Sequence, residues 1–281
     1  LDRIIKDGFL TANIKLKFND EGKISDDYQI NGLVKNTRFN FFNKFNANNL
    51  NFKFDIEKKK YSLTELKTDF NEVGLSSPLI EVVEKKDLFL VKGQILSGKK
   101  NFNINQLNIL FDSLLEATGV KNVRLSSVNN FSFNINKKLK FNDLNIKSKI
   151  NLDKLVIKNN FINLKSYLPN LDELVNFENH KIIINYNKDK LKIKGNGEIL
   201  IKSNPDSINY EVTKNNDKYK FDAKLNFKNN KFLIDFLDYQ KKENLNSSIL
   251  IKGNFKKNHQ IKFDLISLIE KDNKILFKNL N

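Results

Sequence analysis

The alternation of apolar and polar residues between Lys181 and Leu280 constrains this chain more than any other feature of its sequence. Ile182, Ile184 and Tyr186 lie at every second position, and the same two-residue spacing of apolar residues recurs in the segments that follow. Because successive side chains of a strand point to opposite faces of a sheet, the pattern predicts consecutive strands with one apolar and one polar face. The inward set contains Ile182, Ile184, Ile193, Ile199, Phe221, Leu225, Phe232, Ile234, Ile251 and Phe263.

The earlier part of the chain follows the same alternation. Large apolar residues there are separated by single polar residues, most often lysine or asparagine. We expect these residues to lie on the same kind of apolar face. They include Leu16, Phe18, Phe52, Phe54, Phe131 and Phe133.

Four short polar segments have the composition of tight β-turns. Asparagine and aspartate tolerate the left-handed backbone that hairpins require, so each segment predicts an antiparallel hairpin. The fold class that follows is mainly β, a long curved antiparallel meander sheet that forms a groove. The turns are Asn187–Lys190, Asn215–Lys218, Lys228–Lys231 and Lys271–Lys274.

An apolar-polar-glycine triplet recurs within the strand-like segments. It is found at 30–32, 91–93, 193–195 and 251–253. The spacing is irregular, so we interpret the triplets as marks of similar structural units and not as a short-period repeat.

Two segments depart from strand alternation. In Asn105–Gly119, leucine and phenylalanine recur every three or four residues, and Gly119 is placed to end a helix. Ser166–Phe177 also predicts a short amphipathic helix, with Pro169 in its first turn. These helices divide the chain into an N-terminal β meander (1–104), a helix-interrupted β segment (105–180) and a C-terminal β meander (181–281), which we expect to form one continuous groove.

The chain has a formal net charge of +16, carried almost entirely by lysine. Such a charge favours an anionic partner such as nucleic acid, a bilayer surface or lipid head groups. Arg3, Arg38 and Arg124 are its only arginines, which weakens the nucleic-acid interpretation because phosphate clamps favour guanidinium groups. An AT-rich genome would produce the same excess of lysine and asparagine, and this alternative stays open.

The chain contains no cysteine and no methionine. The absence of cysteine excludes disulfides and thiolate metal sites. The absence of an initiator methionine leads us to expect a part of a longer protein, with any membrane anchor outside this chain.

The sequence carries no catalytic signature, and we expect a non-enzymatic protein without a metal or cofactor. His180 and His259 are far apart, and we interpret both as ordinary residues at strand starts. The Gly195-Asn-Gly197 segment continues as a strand, whereas a dinucleotide-binding loop would open a helix. The aromatic residues share parity with isoleucine and leucine, so a buried or groove-lining role is favoured over stacking on nucleic-acid bases.

The segments 191–201, 208–210, 249–253 and 274–280 together resemble the C-terminal repeating β portion of AsmA-like envelope proteins, the group that includes YhdP and TamB. The resemblance implies a long groove with an apolar interior in a protein anchored in the inner membrane and extending through the periplasm. It also implies movement of phospholipid between the inner and outer membranes. Phospholipid acyl chains are the expected partner.

The apolar residues named above are therefore expected to line a lipid groove. The alternative is a closed β-sandwich or scaffold domain for envelope protein assembly, in which two sheets cover each other and no lipid is carried. The two interpretations differ in what covers the apolar face, because a one-sided apolar sheet must pack against something.

Overall fold

The computed structural model describes residues 5–25, 27–41, 45–104, 106, 119–138, 140–158, 165–201, 204–256 and 261–280. Nearly all of these residues lie in β-strands or in the turns between them. The strands are β1 (Ile5–Lys6), β2 (Phe9–Lys15), β3 (Gln29–Phe41), β4 (Phe45–Glu57), β5 (Lys60–Phe70), β6 (Val73–Glu84), β7 (Leu88–Phe102), β8 (Val120–Asn136), β9 (Phe141–Lys158), β10 (Leu174–Asn187), β11 (Lys190–Leu200), β12 (Pro205–Asn215), β13 (Lys218–Phe227), β14 (Phe232–Ile234), β15 (Tyr239–Lys241), β16 (Ser247–Lys256), β17 (Lys262–Glu270) and β18 (Asn273–Leu280).

Sixteen of these strands form one sheet, in which spatial order follows chain order. From β3 to β13 each strand pairs with the next, and β16, β17 and β18 complete the order after β13. At the other end β1 and β2 both pair with β3. The prediction of a mainly β, antiparallel meander is therefore confirmed.

The described chain separates into two compact units. Unit 1 comprises Leu1–Gly98 and Ser127–Lys147, and unit 2 comprises Lys99–Ser126 and Ser148–Asn281. Unit 2 contains the whole of β10 to β18 and the most regular alternation of the sequence.

Three of the four predicted hairpin turns join consecutive paired strands. Lys188, Asn216 and Lys271 begin these two-residue loops with φ values of 52°, 53° and 52°. The left-handed residue is thus a lysine in two of the three turns, although asparagine or aspartate adopts this conformation more readily. The turn composition predicted the hairpins, but not which residue takes the strained position.

The predicted hairpin at Lys228–Lys231 is wrong. β13 pairs with β16, and residues 228–246 leave the sheet as an excursion that contains β14, a 3-10 helix at Asp235–Leu237, and β15. β14 and β15 pair only with each other, in a separate two-stranded sheet. We refer to residues 228–246 as the capping excursion.

The helix predicted at Ser166–Phe177 is also wrong. Residues 174–177 begin β10, and within 166–177 only Ser166 has 3-10 geometry. Pro169 lacks an N–H and disfavours helical geometry at Leu168, which outweighs the apolar spacing. The other predicted helix, Asn105–Gly119, lies almost entirely outside the described residues, although Ile104 and Gln106 are helical.

Candidate functional site

The apolar face of unit 2 consists of side-chain rows that run across the strands. Directly paired residues of antiparallel strands lie on the same face, so the observed registers define each row. Row A contains Ile184, Ile193, Val212, Phe221, Gly253, Phe263 and Leu280. Row B contains Ile182, Gly195, Tyr210, Ala223, Ile251, Ile266 and Phe277. Row C contains Gly197, Ile208, Leu225, Ile249, Leu268 and Ile275.

These rows bring together most of the groove residues predicted in unit 2. Ile184, Ile193, Phe221 and Phe263 share row A, Ile182 and Ile251 share row B, and Leu225 lies in row C. All seven side chains are partly buried. Ile199 follows Gly197 of row C by two residues along β11, and it pairs with Asp206.

Aromatic rings cover the glycines of the recurring triplet. A β-carbon added at Gly195 would lie 2.3 Å from the ring of Tyr210, and one added at Gly253 would lie 2.5 Å from the ring of Phe221. Each ring belongs to the residue directly paired with its glycine. The glycine leaves room for the ring to lie flat against the sheet, and the ring replaces the packing that the glycine lacks.

The same arrangement occurs in unit 1. Gly32 lies under Phe54, its paired residue in β4, and Gly93 lies under Phe131. All four triplet glycines therefore have an aromatic cover on a neighbouring strand. The sequence shows the glycines, but their partners are apparent only once the strand registers are known.

The groove residues predicted in unit 1 differ in their surroundings. Phe52 and Phe54 are partly buried, with ring centroids 6.5 Å apart. Phe131 and Phe133 are also partly buried and stack at 5.8 Å. The apolar face of unit 1 thus carries pairs of rings, as the alternation predicts.

Leu16 and Phe18 do not line a covered face. Leu16 is 43% exposed and Phe18 is 63% exposed. β2 ends at Lys15, and Phe18 forms an isolated bridge to Ile24 beyond the strand. The alternation continues past the end of the strand, where it no longer reports a shared face.

Phe232 and Ile234 lie in β14 of the capping excursion and not in the main sheet. Ile234 is 5% exposed and belongs to a packed cluster, against which Phe232 also packs. These two residues therefore cover the apolar face instead of forming it. The buried members of the cluster are Leu171, Ile201, Phe227, Ile234, Ile249 and Leu268.

This cluster closes one side of the apolar face of unit 2. It packs against row C through Leu225 and Ile275, in addition to the buried Ile249 and Leu268. Among the described residues of rows A and B, Ile251 alone packs against it. Rows A and B consequently keep partly exposed apolar side chains, whereas Ile249 and Leu268 of row C are buried.

The capping excursion is held in place by buried polar groups. Asp206, which is 3% exposed, accepts hydrogen bonds from the backbone N–H of Lys228 at 2.8 Å and of Asn229 at 2.9 Å. The buried Asn230 side chain donates to the second carboxylate oxygen of Asp206 at 2.7 Å. These bonds direct the chain away from the main sheet after β13, at the segment where a hairpin turn was predicted.

Lys241 anchors the far end of the capping excursion. Its side chain is fully buried, and Nζ donates to the carbonyl oxygens of Lys228, Asn230 and Lys242 at 2.9, 2.6 and 3.0 Å. Burial lowers the pKa of Lys241, while Asp206 opposes this effect. Sequence inspection missed this residue, since nothing distinguishes Lys241 from the many surface lysines.

Tyr239 fixes the capping excursion to β17. Its hydroxyl donates to the Glu270 carboxylate at 2.5 Å, and burial together with this hydrogen bond raises the pKa of Tyr239. A second contact lies nearby, because the rings of Phe236 and Phe277 are 6.1 Å apart. The Phe236 ring itself remains 69% exposed at the tip of the excursion.

His180 lies within β10 and is 2% exposed, so it is not the strand-start residue that was expected. Its Nε2 is 3.0 Å from the carbonyl oxygen of Glu198, and its Nδ1 is 3.4 Å from the Tyr210 hydroxyl. Since a carbonyl can only accept, Nε2 carries the proton and Nδ1 accepts from Tyr210. Burial lowers the pKa of His180 and so favours this neutral form. His259 lies outside the described residues.

The opposite face of unit 2 is largely polar, although Ile183 and Leu276 are exposed on it, and it carries ion pairs between strands. Glu211 accepts from Lys192 at 2.7 Å and from Lys194 at 2.9 Å, and these ammonium groups lower the pKa of its carboxyl. Asp222 pairs with Lys252 at 3.0 Å. A depression of about 860 Å³ opens over this face.

In the described part of the chain, histidine and carboxylate side chains form no group of three or more that could hold a metal ion. Among the described residues, no helix has the length and apolar character needed to cross a membrane.

Comparison of the chain with protein-family models, with curated proteins and with solved structures finds no match. The fold and the site define its class as an antiparallel β-meander protein with one apolar and one polar sheet face. The apolar rows A and B, bordered by the capping excursion, are its candidate functional site.

Proposed function

We propose that rows A and B bind phospholipid acyl chains, and that the chain is a non-enzymatic, groove-forming segment of a bridge-like protein. In this proposal the protein moves phospholipid between the inner and outer membranes and supports outer-membrane biogenesis. The segment lies in the periplasm, and the parent protein is anchored in the inner membrane outside this chain. The membrane context rests on the resemblance to AsmA-like envelope proteins.

The observation that carries the proposal is the partial exposure of rows A and B, from whose described residues only Ile251 packs against the buried cluster that includes Ile249 and Leu268 of row C. A contiguous apolar surface that the described residues leave partly exposed typically marks an interaction site. An acyl chain is a suitable occupant, since each CH₂ group removed from water contributes about 0.8 kcal/mol without requiring a specific contact.

The direction and length of the rows also favour an extended hydrocarbon chain. Rows A and B each span seven strands, from β10 to β18. Six interstrand spacings of about 4.8 Å give roughly 29 Å. This length accommodates an acyl chain, because one leaflet contributes about half of the roughly 30 Å hydrocarbon thickness of a bilayer.

The capping excursion sets the lateral limit of the binding surface. It covers row C through Ile234 and leaves rows A and B beside it. Its buried anchors, Asp206 and Lys241, make it a fixed border. Bound acyl chains therefore run along the rows and do not spread across the whole face.

The composition of the rows suits movement as well as binding. Isoleucine, valine, leucine, alanine and phenylalanine fill most positions, so neighbouring stretches of the surface offer similar contacts. A chain that slides along such a surface exchanges one apolar contact for another. The free energy then changes little with position, as transport along a groove requires.

The proposal is tested by lipid analysis of purified protein. Ile184→Asp places a carboxylate in row A, and Asn185→Asp places the same group on the opposite face of the same strand. We expect phospholipid to co-purify with the native protein and with Asn185→Asp, and to be lost from Ile184→Asp. Mass spectrometry of the extracted lipid provides the readout, and circular dichroism identifies a variant that has failed to fold.

Two results would contradict the proposal. Native protein that carries no lipid after expression and after incubation with phosphatidylethanolamine vesicles would exclude acyl-chain binding. Equal lipid occupancy in the two folded aspartate variants would place the lipid elsewhere. A scaffold domain would give the first result.

A further inference from the structure

The polar face of unit 2 carries a second candidate binding surface, distinct from rows A and B. The depression of about 860 Å³ is lined there by five lysines and three carboxylates, which leaves a net charge of +2. The lysines are Lys181, Lys194, Lys220, Lys224 and Lys252, and the carboxylates are Glu211, Asp222 and Asp264. We name this surface the lysine trough.

The carboxylates neutralise only part of the lysine trough. Lys194 pairs with Glu211 at 2.9 Å, and Lys252 pairs with Asp222 at 3.0 Å. Within the described residues, the other three lysines make no ion pair. The ammonium groups available to an anion are therefore those of Lys181, Lys220 and Lys224.

The strand registers place these lysines on a regular frame. Lys181, Asn196, Asn209 and Lys224 occupy directly paired positions on β10 to β13. Three interstrand spacings separate Lys181 from Lys224 by roughly 14 Å. Lys220 lies four residues from Lys224 on the same strand, so roughly 13 Å separates these two positions.

Uncharged hydrogen-bonding groups lie between the lysines. The side chains of Asn196, Asn209 and Thr213 line the lysine trough. Amide and hydroxyl groups both donate and accept hydrogen bonds, as the hydroxyl groups of a sugar require. The trough thus presents separated positive charges with sugar-compatible groups between them.

Nucleic acid fits this surface less well. Tyr210 and Phe221 also line the trough, but each lies between two strand neighbours whose side chains are on the trough face, so strand alternation places both rings on the opposite, apolar face. Single-strand binding proteins stack bases on rings that share a surface with the basic groups. The trough also lacks the guanidinium groups that favour bidentate phosphate contacts.

We propose that the lysine trough binds an acidic polysaccharide. Its carboxylate, phosphate or sulfate groups contact Lys181, Lys220 and Lys224, and its hydroxyl groups contact the asparagine and threonine side chains. Binding on this face leaves rows A and B free for acyl chains. The protein can therefore hold a polyanionic glycan on one face of unit 2 and lipid on the other.

The test compares dextran sulfate with neutral dextran of the same length as probes. The triple variant Lys181→Gln/Lys220→Gln/Lys224→Gln removes the free charges of the trough. The matched control, Lys86→Gln/Lys138→Gln/Lys271→Gln, removes the same charge from exposed turn lysines elsewhere. Affinity is measured by calorimetry at two salt concentrations, and circular dichroism verifies that each variant is folded.

We expect dextran sulfate to bind the native protein and neutral dextran not to bind. The trough variant should lose about tenfold or more in affinity, since it removes three charge contacts to the polyanion. The control triple should change affinity by less than about twofold. Asn209→Asp, which adds negative charge between Lys181 and Lys224, should also weaken binding.

Several outcomes would overturn this proposal. Equal losses in the two triple variants would show attraction to net charge alone. A lack of binding to dextran sulfate would exclude a glycan site. Tighter, trough-dependent binding of single-stranded DNA or of phosphatidylglycerol vesicles than of dextran sulfate would assign the surface to a different anion. None of these results depends on whether lipid binds rows A and B.

Discussion

The ring of Tyr210 lies over Gly195, its directly paired neighbour on the adjacent strand, so closely that a β-carbon at Gly195 would be 2.3 Å from the ring. This pair lies in row B, beside the buried His180. Gly32, Gly93 and Gly253 lie under phenylalanine rings in the same way. The glycine-ring pairs are thus a repeated means of packing the apolar face.

Gly195→Ala should displace the Tyr210 ring and destabilise unit 2. Overpacking of this kind costs about 1–3 kcal/mol. Gly98→Ala is the control, because nothing lies within 4 Å of a β-carbon there, and it should leave stability unchanged or raise it by up to about 1 kcal/mol. Urea denaturation measures both variants, and equal effects would contradict the packing role assigned to Tyr210.

Lys241→Met should destabilise the capping excursion. Methionine preserves much of the side-chain volume but leaves three carbonyl oxygens without this donor, of which the oxygen of Asn230 is buried. An unsatisfied buried group costs about 1–3 kcal/mol, so we expect a loss of at least about 1 kcal/mol. The exposed neighbour Lys242 provides the control variant, Lys242→Met. Limited proteolysis should cleave residues 228–246 faster only in Lys241→Met, and equal cleavage would rule out the anchor.

Acid should weaken unit 1 through Glu81. Its carboxylate accepts from Lys60 at 2.8 Å and from Lys92 at 2.9 Å, and these groups lower its pKa from 4.5 to about 2. Because folding lowers this pKa, the contribution to stability is complete above about pH 4.5 and is lost as the pH falls towards 2. Glu81→Gln should reduce the loss of stability across this range. An unchanged pH profile in that variant would contradict the assignment.

His180 should make stability depend on pH in a higher range. Burial lowers its folded-state pKa below 6.5, so the unfolded chain binds a proton more readily than the folded chain. The stability of unit 2 is therefore complete above about pH 6.5 and decreases as the pH falls below that value. Thermal unfolding of the native protein and of His180→Phe between pH 8 and pH 5 tests this. The melting temperature of the native protein should fall more steeply with decreasing pH than that of His180→Phe, which has no titrating group at this position.

The alternation was sufficient to predict the strands and the shared apolar face of Ile184, Ile193 and Phe221. The face on which a side chain lies depends on its position within its own strand. Where tight hairpins join consecutive strands, the apolar side chains of both strands lie on the same face of the sheet. Phe232 and Ile234 show its limit. They alternate as strand residues do, but alternation does not specify the sheet to which a strand belongs.

The capping excursion depends on contacts between distant positions. Asp206 precedes Lys228 by 22 residues, and their hydrogen bond redirects the chain at a segment with ordinary turn composition. Lys241 resembles every other lysine until its burial is known. The polar lysines of β10 to β13 were likewise visible in the sequence, but the register that aligns Lys181 with Lys224 was not.

The most direct test of acyl-chain binding is site-specific photo-crosslinking in row A. A benzoylphenylalanine replacing Phe221 lies on the apolar face, and one replacing Lys220 lies on the polar face of the same strand. After illumination with phosphatidylethanolamine vesicles, mass spectrometry should detect a phospholipid adduct at position 221 and little or none at position 220. Equal adducts at the two positions, or none at position 221 in folded protein, would contradict the account.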